Sequence, residues 1–402
     1  MHGEKGNGIV TIRKKSFVLV LAIAFFVGMS ATMGGILLIE NGIVGGTVKL
    51  SKKEYSYYQQ LDQRYSKLNQ LYNEVTDNFY KKPNEEDLET GMYKGLIAGL
   101  GDPYSAYMTK EEYQSWTDTT LGEFDGIGIT FSTNDNGEFV IVSTIDGTPA
   151  DKAGLKAGDL ILAVNGKTYD NMDAVSAAVK GKAGTKVTVT YERDGKQKTA
   201  TMTRETIIND TVKSKMLEDN IGYIEISSFE EHTAEEFSEE LKKMEAKKVK
   251  GFVIDLRENG GGIVDAGVDI ADELLGKGTI TYLQDQKGEK QYITSDKNAT
   301  ELPYVLLVNE NTASTSEILA AAVKDDGKNP LVGTTTFGKG IVQTTGELTD
   351  GSALKITTMQ YFSPKGNQIN GKGVKPDYTV KNSENGKTDK QLEKAKELLK
   401  KK

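Results

Sequence analysis

Cysteine is absent from this chain and histidine nearly so. With no thiol there is no disulfide framework, no thiolate nucleophile and no cysteine-ligated zinc site. The two histidines, His2 and His232, are too far apart in sequence to suggest a catalytic metal, and a serine–histidine–aspartate triad would rest on His232 alone. Concentrated basic charge is missing too: the formal net charge is −8, which disfavours nucleic acid as a partner. No metal and no other cofactor is called for.

What is present begins with length. At 402 residues the chain is long enough for two to three domains with at least one sizeable core. One long apolar run exists, the 24 uncharged residues from Ser16 to Ile39, preceded by Arg13, Lys14 and Lys15. At a rise of about 1.5 Å per residue a helix of this length would cross a bilayer. The expectation is a cytoplasmic stretch 1–15, a single-pass transmembrane anchor 16–39 in the cell membrane, and everything after Glu40 outside the cytoplasm. A cleaved signal peptide is the competing reading, and the return of apolar residues at Ile36-Leu37-Leu38-Ile39 favours the anchor.

Residues 51–120 read as a helical region. Tyr55, Tyr58, Leu61, Tyr65, Leu68, Tyr72, Val75 and Phe79 recur at alternating spacings of three and four, the seam of an amphipathic helix over 51–80. The same helix of a second subunit could cover this stripe, giving a homodimer. A second helix, Glu85 to Leu100, stops at Gly101-Asp102-Pro103. Residues 121–207 form a small strand-rich module: strands at Phe139–Val142 and Leu160–Val164, a hairpin from Thr185 to Arg204 around Asp194-Gly195, and one helix capped near Asp170 or Asn171. Over 208–380 strands and helices alternate. Thr233 to Glu236 reads as a capping box, and two short apolar strands, Phe252–Leu256 and Tyr304–Val308, each feed directly into a helix. This is an α/β pattern whose site belongs at the carboxyl ends of strands. Residues 381–402 close the chain as a charged helix and tail.

The chemistry to be found lies between Val308 and Gln343. Ser314 stands where a strand turns into a helix, beside unpaired N–H groups and the positive end of a helix dipole, a place that suits a nucleophile and an oxyanion. Ser314-Thr315-Ser316-Glu317 is equally a capping box, which would make the serine a helix cap. Thr312 and Ser316 are rival nucleophiles. Lys339, 25 positions beyond Ser314 in Phe337-Gly338-Lys339-Gly340, could act as a general base if its pKa falls toward neutrality; an exposed turn lysine is the plain alternative. Gln343 could hold that amine or be an ordinary strand residue. Gly333 to Gly340 also approaches a phosphate-binding loop, but Gly340 stands where the magnesium-binding hydroxyl should be, and a strand follows instead of a helix. Gly260-Gly261-Gly262 opens a helix and permits close approach of backbone to a ligand.

Together these motifs resemble the carboxyl-terminal processing peptidases, also called tail-specific proteases. The resemblance rests on Gly99-Leu100-Gly101-Asp102-Pro103-Tyr104-Ser105, Gly126-Ile127-Gly128-Ile129, Asp255 to Gly262, Ala313 to Glu317, Phe337 to Gly340 with Gln343, and Gly371 to Asp377. It implies a crotonase/ClpP-like superhelical α/β core with an inserted PDZ domain. It further implies that Ser314 is the nucleophile, Lys339 the base and Gln343 its orienting partner, with the N–H groups of Gly261 and Thr315 as oxyanion hole. Gly126, Ile127, Gly128 and Ile129 would bind the carboxylate of a protein substrate with an accessible C-terminus, the tail adding as a strand, and Lys180 stands where many relatives have a substrate-sensing arginine. Gly260 and Thr315 depart from the family's usual proline and alanine. The function so implied is a membrane-anchored serine endopeptidase acting on protein tails; the alternative is an inactive PDZ adaptor at the membrane.

Overall fold

The computed structural model describes residues 9–12, 48–134, 136–296, 299–382 and 388–401, in two units that divide after Tyr93. In the first unit strands β1 (Ile9–Ile12) and β2 (Val48–Ser51) pair antiparallel, followed by helix α1 (Lys52–Asn78), and the division falls within helix α2 (Glu85–Ala98). Ser51 caps α1 with a reciprocal box: its N–H donates to Glu54 Oε2 at 2.8 Å and its Oγ accepts the Glu54 N–H at 3.3 Å. Of the apolar stripe only Leu61 is buried; Leu68, Val75 and Phe79 are 40%, 41% and 52% exposed.

The transmembrane expectation is corrected here. Among the described residues no helix is long and apolar enough to cross a membrane, and 16–39 themselves lie outside the described residues. The β1–β2 ladder gives the physical reason. Ile9 faces Ser51 and Ile12 faces Val48, so the flanks of the apolar run lie about 4.8 Å apart as neighbouring strands. A single crossing would put about 30 Å of hydrocarbon between them.

The second unit opens with β3 (Ala106–Met108) and α3 (Lys110–Leu121). Strand β4 (Glu123–Gly126) then leads into a five-stranded antiparallel module: β5 (Ile129–Thr133), β6 (Phe139–Thr144), β7 (Leu160–Val164), β8 (Lys186–Arg193) and β9 (Lys196–Thr203), paired in that order. Helix α4 (Pro149–Lys152) follows β6, and α5 (Met172–Val179) follows β7. Asn171 caps α5 through its side-chain oxygen, and Asp194 and Gly195 turn the β8–β9 hairpin at φ of 54° and 69°, the left-handed conformation that a two-residue hairpin turn requires. The buried Ile127, Ile141, Val164, Val175 and Val189 form this module's own core. Its exit strand, β10 (Glu205–Ile208), pairs back with β4.

The α/β core comes next: β11 (Val212–Leu217), β12 (Ile221–Ile226), α6 (Thr233–Ala246), β13 (Gly251–Asp255), α7 (Val264–Leu275), β14 (Gly278–Asp285), β15 (Lys290–Ser295), β16 (Tyr304–Val308), α8 (Thr315–Asp326), β17 (Leu331–Gly333), β18 (Ile341–Glu347), β19 (Ala353–Phe362), β20 (Tyr378–Thr379) and α9 (Lys390–Lys400). The main sheet runs β11-β12-β13-β16-β17-β20, parallel from β12 onward. Every residue of β13 and β16 is buried, which explains why both read as mainly apolar runs, with Asp255 the charged exception: a parallel strand is covered on both faces. Phe252, Ile254, Leu306 and Val308 pack toward α6, α7 and α8. Their alternating neighbours Val253, Val305 and Leu307 pack toward Ala395 and Leu399 of α9. The closing helix is therefore a layer of the core. A second sheet, β15-β14-β19-β18, takes β3 against β19.

The capping box at Thr233 does not form. His232 is the N-cap of α6, the buried Thr233 hydroxyl accepts the Glu230 N–H at 2.8 Å, and Glu236 accepts the N–H and hydroxyl of Thr211. Glu236 thus braces β11, a contact from outside the segment that outcompetes the local pattern.

Candidate active site

Strand β16 ends at Val308, and six residues later Ser314 occupies the N-cap of α8 with φ 59° and ψ −121°. A positive φ at a non-glycine residue costs roughly 1–3 kcal/mol and persists only where the surroundings over-determine it. They do so here. The Thr312 hydroxyl donates to the Leu256 carbonyl at 2.8 Å, the Ala313 N–H to the Asn259 carbonyl at 3.0 Å, and the Ser316 hydroxyl to that same carbonyl at 3.1 Å. Thr312 and Ser316 are fully buried with their hydroxyls engaged in this way, whereas Ser314 is only partly buried.

Glu317 is the residue that sequence reasoning undervalued. Its side chain is fully buried and receives four donors: the N–H groups of Ser314 (3.0 Å), Gly338 (2.7 Å) and Lys339 (2.8 Å) and the hydroxyl of Thr336. Such charge-assisted bonds are about twice as strong as neutral ones. The carboxylate thereby joins the turn bearing Ser314 to the turn bearing Lys339. Tyr361 of β19 adds a second tie, its hydroxyl donating to the Ser314 carbonyl at 2.9 Å and also contacting the Lys339 carbonyl. Burial pushes its phenol well above the ordinary range, so it stays a donor.

The Lys339 side chain is half-buried. Burial, then the like charge of Lys355, hold its pKa below the ordinary lysine value, against the opposing pull of Asp102 and Glu317. Its Nζ lies 4.6 Å from the centroid of the Tyr104 ring. Among the described residues no hydrogen bond joins it to Ser314 Oγ or to Gln343. The Gln343 amide donates instead to Thr357 Oγ1 at 3.3 Å, beside a register shift between Val342 and Gln343 in the β18–β19 ladder. Beside the amine stands the Tyr104 ring.

Gly261 packs directly on Ser314. A Cβ there would lie 2.6 Å from Ser314 Cβ and 2.8 Å from the Ala313 carbonyl oxygen, and φ is +98°, so only glycine fits. Its N–H, expected in the oxyanion hole, donates to Asn259 Oδ1 at 2.9 Å. The Thr315 N–H begins α8 and finds no acceptor among the described residues, which leaves it open to an anion. The neighbouring Gly262 N–H is also unengaged there, and its carbonyl accepts the Thr315 hydroxyl at 2.8 Å.

In the strand-rich module the loop N–H groups of Ile127 and Gly128 have no partner among the described residues, and Ile129 begins β5, the edge strand of its sheet. Gly126 closes β4 against Glu205. Gly128 has φ +79°, and a Cβ there would meet the Thr148 side chain at 2.4 Å. Lys180 caps the end of α5 and reaches Asp118 of α3 at 3.4 Å and the Phe124 ring at 5.6 Å. A cavity of about 820 Å³ also opens at the carboxyl ends of β12, β13, β16 and β17, but neither Ser314 nor Lys339 lines it, and its Arg257 is already bound to Asp255 and Asp389.

Comparison with known proteins gives three family matches: Peptidase family S41 over residues 220–380, PDZ domain over 126–203, and Activating protease CtpB N-terminal domain over 25–112. The carboxy-terminal processing protease CtpA of Bacillus subtilis (strain 168) is 40% identical over 320 residues, 78% of this chain and 68% of that protein. A probable CtpA-like serine protease of Staphylococcus aureus (strain MRSA252) is 37% identical over 321 residues, 78% of this chain and 64% of the relative. The chain thus spans about two thirds of their length. Among solved structures, a photosystem II D1 C-terminal processing protease aligns with a TM-score of 0.48 at 28% identity, over 76% of this chain and 85% of that one.

Proposed function

The chain belongs to peptidase family S41, the serine-type carboxyl-terminal processing peptidases, and from that premise we propose that it cuts proteins with a Ser314–Lys339 dyad after its PDZ module has bound their C-terminal tails. The observation that carries this reading is the Glu317 clasp, whose one carboxylate accepts the N–H of both Ser314 and Lys339. A general base must be neutral to work, and burial together with Lys355 favours a neutral Lys339. In this mechanism Lys339 takes the proton from Ser314 Oγ as Oγ bonds to the scissile carbonyl carbon. The oxygen that becomes negative is received by the open Thr315 N–H at the positive end of α8. Lys339 then gives the proton to the departing amine as the C–N bond breaks, and water hydrolyses the acyl-enzyme by the same route. Contact between Oγ and Nζ would tighten when substrate arrives, as is common for catalytic hydrogen bonds that are long in the free enzyme.

Tail binding is supported by the edge position of β5 and by the open N–H groups of Ile127 and Gly128: an extended peptide can add to the strand while its carboxylate meets the loop. Lys180, paired with Asp118, is assigned here to the same module as a residue that a bound tail would affect. We also propose export to the far side of the cytoplasmic membrane, on the strength of the basic and apolar pattern of 13–39 alone, and a homodimer through the exposed stripe of α1.

The deciding experiment incubates the purified chain with an unfolded protein that ends in apolar residues. Cleavage is expected, and Ser314→Ala and Lys339→Ala are each expected to abolish it with the fold intact. Full activity in Ser314→Ala would sink the mechanism. Binding without cleavage by the wild type would favour the adaptor reading.

A further inference from the structure

The turn Gly101 to Ser105 carries no role in the mechanism so far, yet it reaches the base. We propose that Tyr104 is a positioning residue for Lys339, its ring face stabilising the ammonium that forms there as Ser314 gives up its proton. The inference rests on the dyad reading above and extends it to a third member.

The turn is held with more bonds than a surface connection needs. Asp102 accepts the Tyr104 N–H at 3.1 Å, the Ser105 hydroxyl at 2.6 Å and the Thr357 hydroxyl at 2.6 Å, and Ser105 Oγ accepts the Thr357 N–H at 3.0 Å. Pro103 fixes φ between them. The turn is thereby attached to β19 at Thr357, the residue to which Gln343 also donates. A chain of contacts thus runs from Gln343 through Thr357 and Asp102 to the turn that presents Tyr104.

Nζ faces the ring at 4.6 Å from its centroid, within the ~6 Å at which an aromatic face attracts a cation. The charged groups around the amine are Lys355 from β19, Asp102 from the turn and Glu317 from α8. Burial and Lys355 favour the neutral amine of the resting base. The ring and the two carboxylates favour the cation, the form that proton transfer from Ser314 generates. A ring stabilising that cation acts as the carboxylate of a serine triad acts on its imidazolium, by an electrostatic contact fixed in advance.

The test measures, in the full chain, the rate at which a β-lactone probe acylates Ser314 as a function of pH. Tyr104→Leu keeps the bulk and loses the aromatic face; it is expected to slow acylation roughly two- to thirty-fold, the range a cation–π contact spans. With the cation less favoured, the rising limb moves to lower pH. Tyr104→Met gives the same loss should leucine disturb the turn, and Tyr104→Phe restores most of the rate and the original limb. Wild-type rate and limb in both Tyr104→Leu and Tyr104→Met would overturn the inference, as would a Tyr104→Phe variant as slow as either. Lys339→Ala is the separate control: if it acylates normally, the dyad reading fails; if it is inert while Tyr104→Leu is unaltered, only the role of Tyr104 is lost.

Discussion

Ser314 and Lys339 donate their backbone N–H groups to the same carboxylate oxygen, Oε2 of Glu317, at 3.0 and 2.8 Å. A glutamine at this position must turn its amide nitrogen toward one pair of donors. Glu317→Gln is therefore expected to leave two buried donors unmet, at about 1–3 kcal/mol each, and to lower acylation of Ser314 by at least tenfold. Denaturant unfolding and probe labelling measured together check both parts; a variant with wild-type stability and labelling would show that the clasp is incidental.

Lys355 opposes charge on Lys339. In Lys355→Met that repulsion is gone, so the Lys339 pKa rises. Since only the neutral amine accepts a proton, the rising limb of the rate against pH moves to higher pH. An unmoved limb in the pH profile would mean that another group titrates there.

Gly261 is surrounded by Ser314 Cβ, the Ala313 carbonyl and the Thr315 nitrogen, all within 3 Å of where a Cβ would sit. Gly261→Ala has to move the nucleophile's turn and adopt a positive φ, and we expect activity to fall below a hundredth of wild type while the sheet survives. Circular dichroism beside a casein-degradation assay decides it.

His232 Nε2 lies 2.5 Å from Glu123 Oε1, between the α/β core and β4, the strand that leads into the PDZ module, and the Glu123 bond and charge raise its pKa above the ordinary value of 6.5 against a smaller effect of burial. The folded state then holds the proton more tightly than the unfolded state. The pair's contribution is fully present below the ordinary histidine pKa and is lost as pH rises through the raised one. His232→Gln should flatten stability against pH across that window, as read by denaturant midpoints.

Tail recognition is open to a direct titration. A fluorescent peptide with a free, apolar C-terminus should bind the wild type, and amidating its carboxyl should weaken binding roughly ten- to hundred-fold, the value of charge-assisted hydrogen bonds. Gly128→Val, forced against Thr148, should lose the peptide altogether. Equal anisotropy for free and amidated peptides would remove the carboxylate from the argument.

The core strands were legible because burial on both faces writes itself into sequence as an apolar run, as in Phe252 to Leu256 and Tyr304 to Val308. The hairpin at Asp194-Gly195 and the cap at Asn171 were legible because they are local. The engagement of Gly261 N–H by Asn259 could not be read, since a glycine-rich turn permits several conformations. The Gln343–Thr357 contact was not legible, because a bulge in β18 changes which neighbour a side chain meets. Glu317 and Tyr104 act through partners far along the chain, and a spacing rule that recognises a capping box cannot see three further donors arriving from Thr336 to Lys339. The apolar run at 16–39 met the length criterion for a span, which takes no account of whether its flanks pair with one another.

Arg257 grips Asp255 at the end of β13 and also Asp389, the N-cap of α9, while two residues farther on Asn259 holds the Gly261 N–H and, through its carbonyl, the Ala313 N–H. The last helix and the nucleophile's turn are thus fastened to one short segment. Detaching α9 would leave a buried guanidinium half-satisfied, a cost of several kcal/mol, at the very point that shapes the site. In hydrogen-exchange terms the amides of α9 and of the Asn259 to Ser314 region should open as a single cooperative unit, so that melting α9 would loosen the turn that bears Ser314 without touching it.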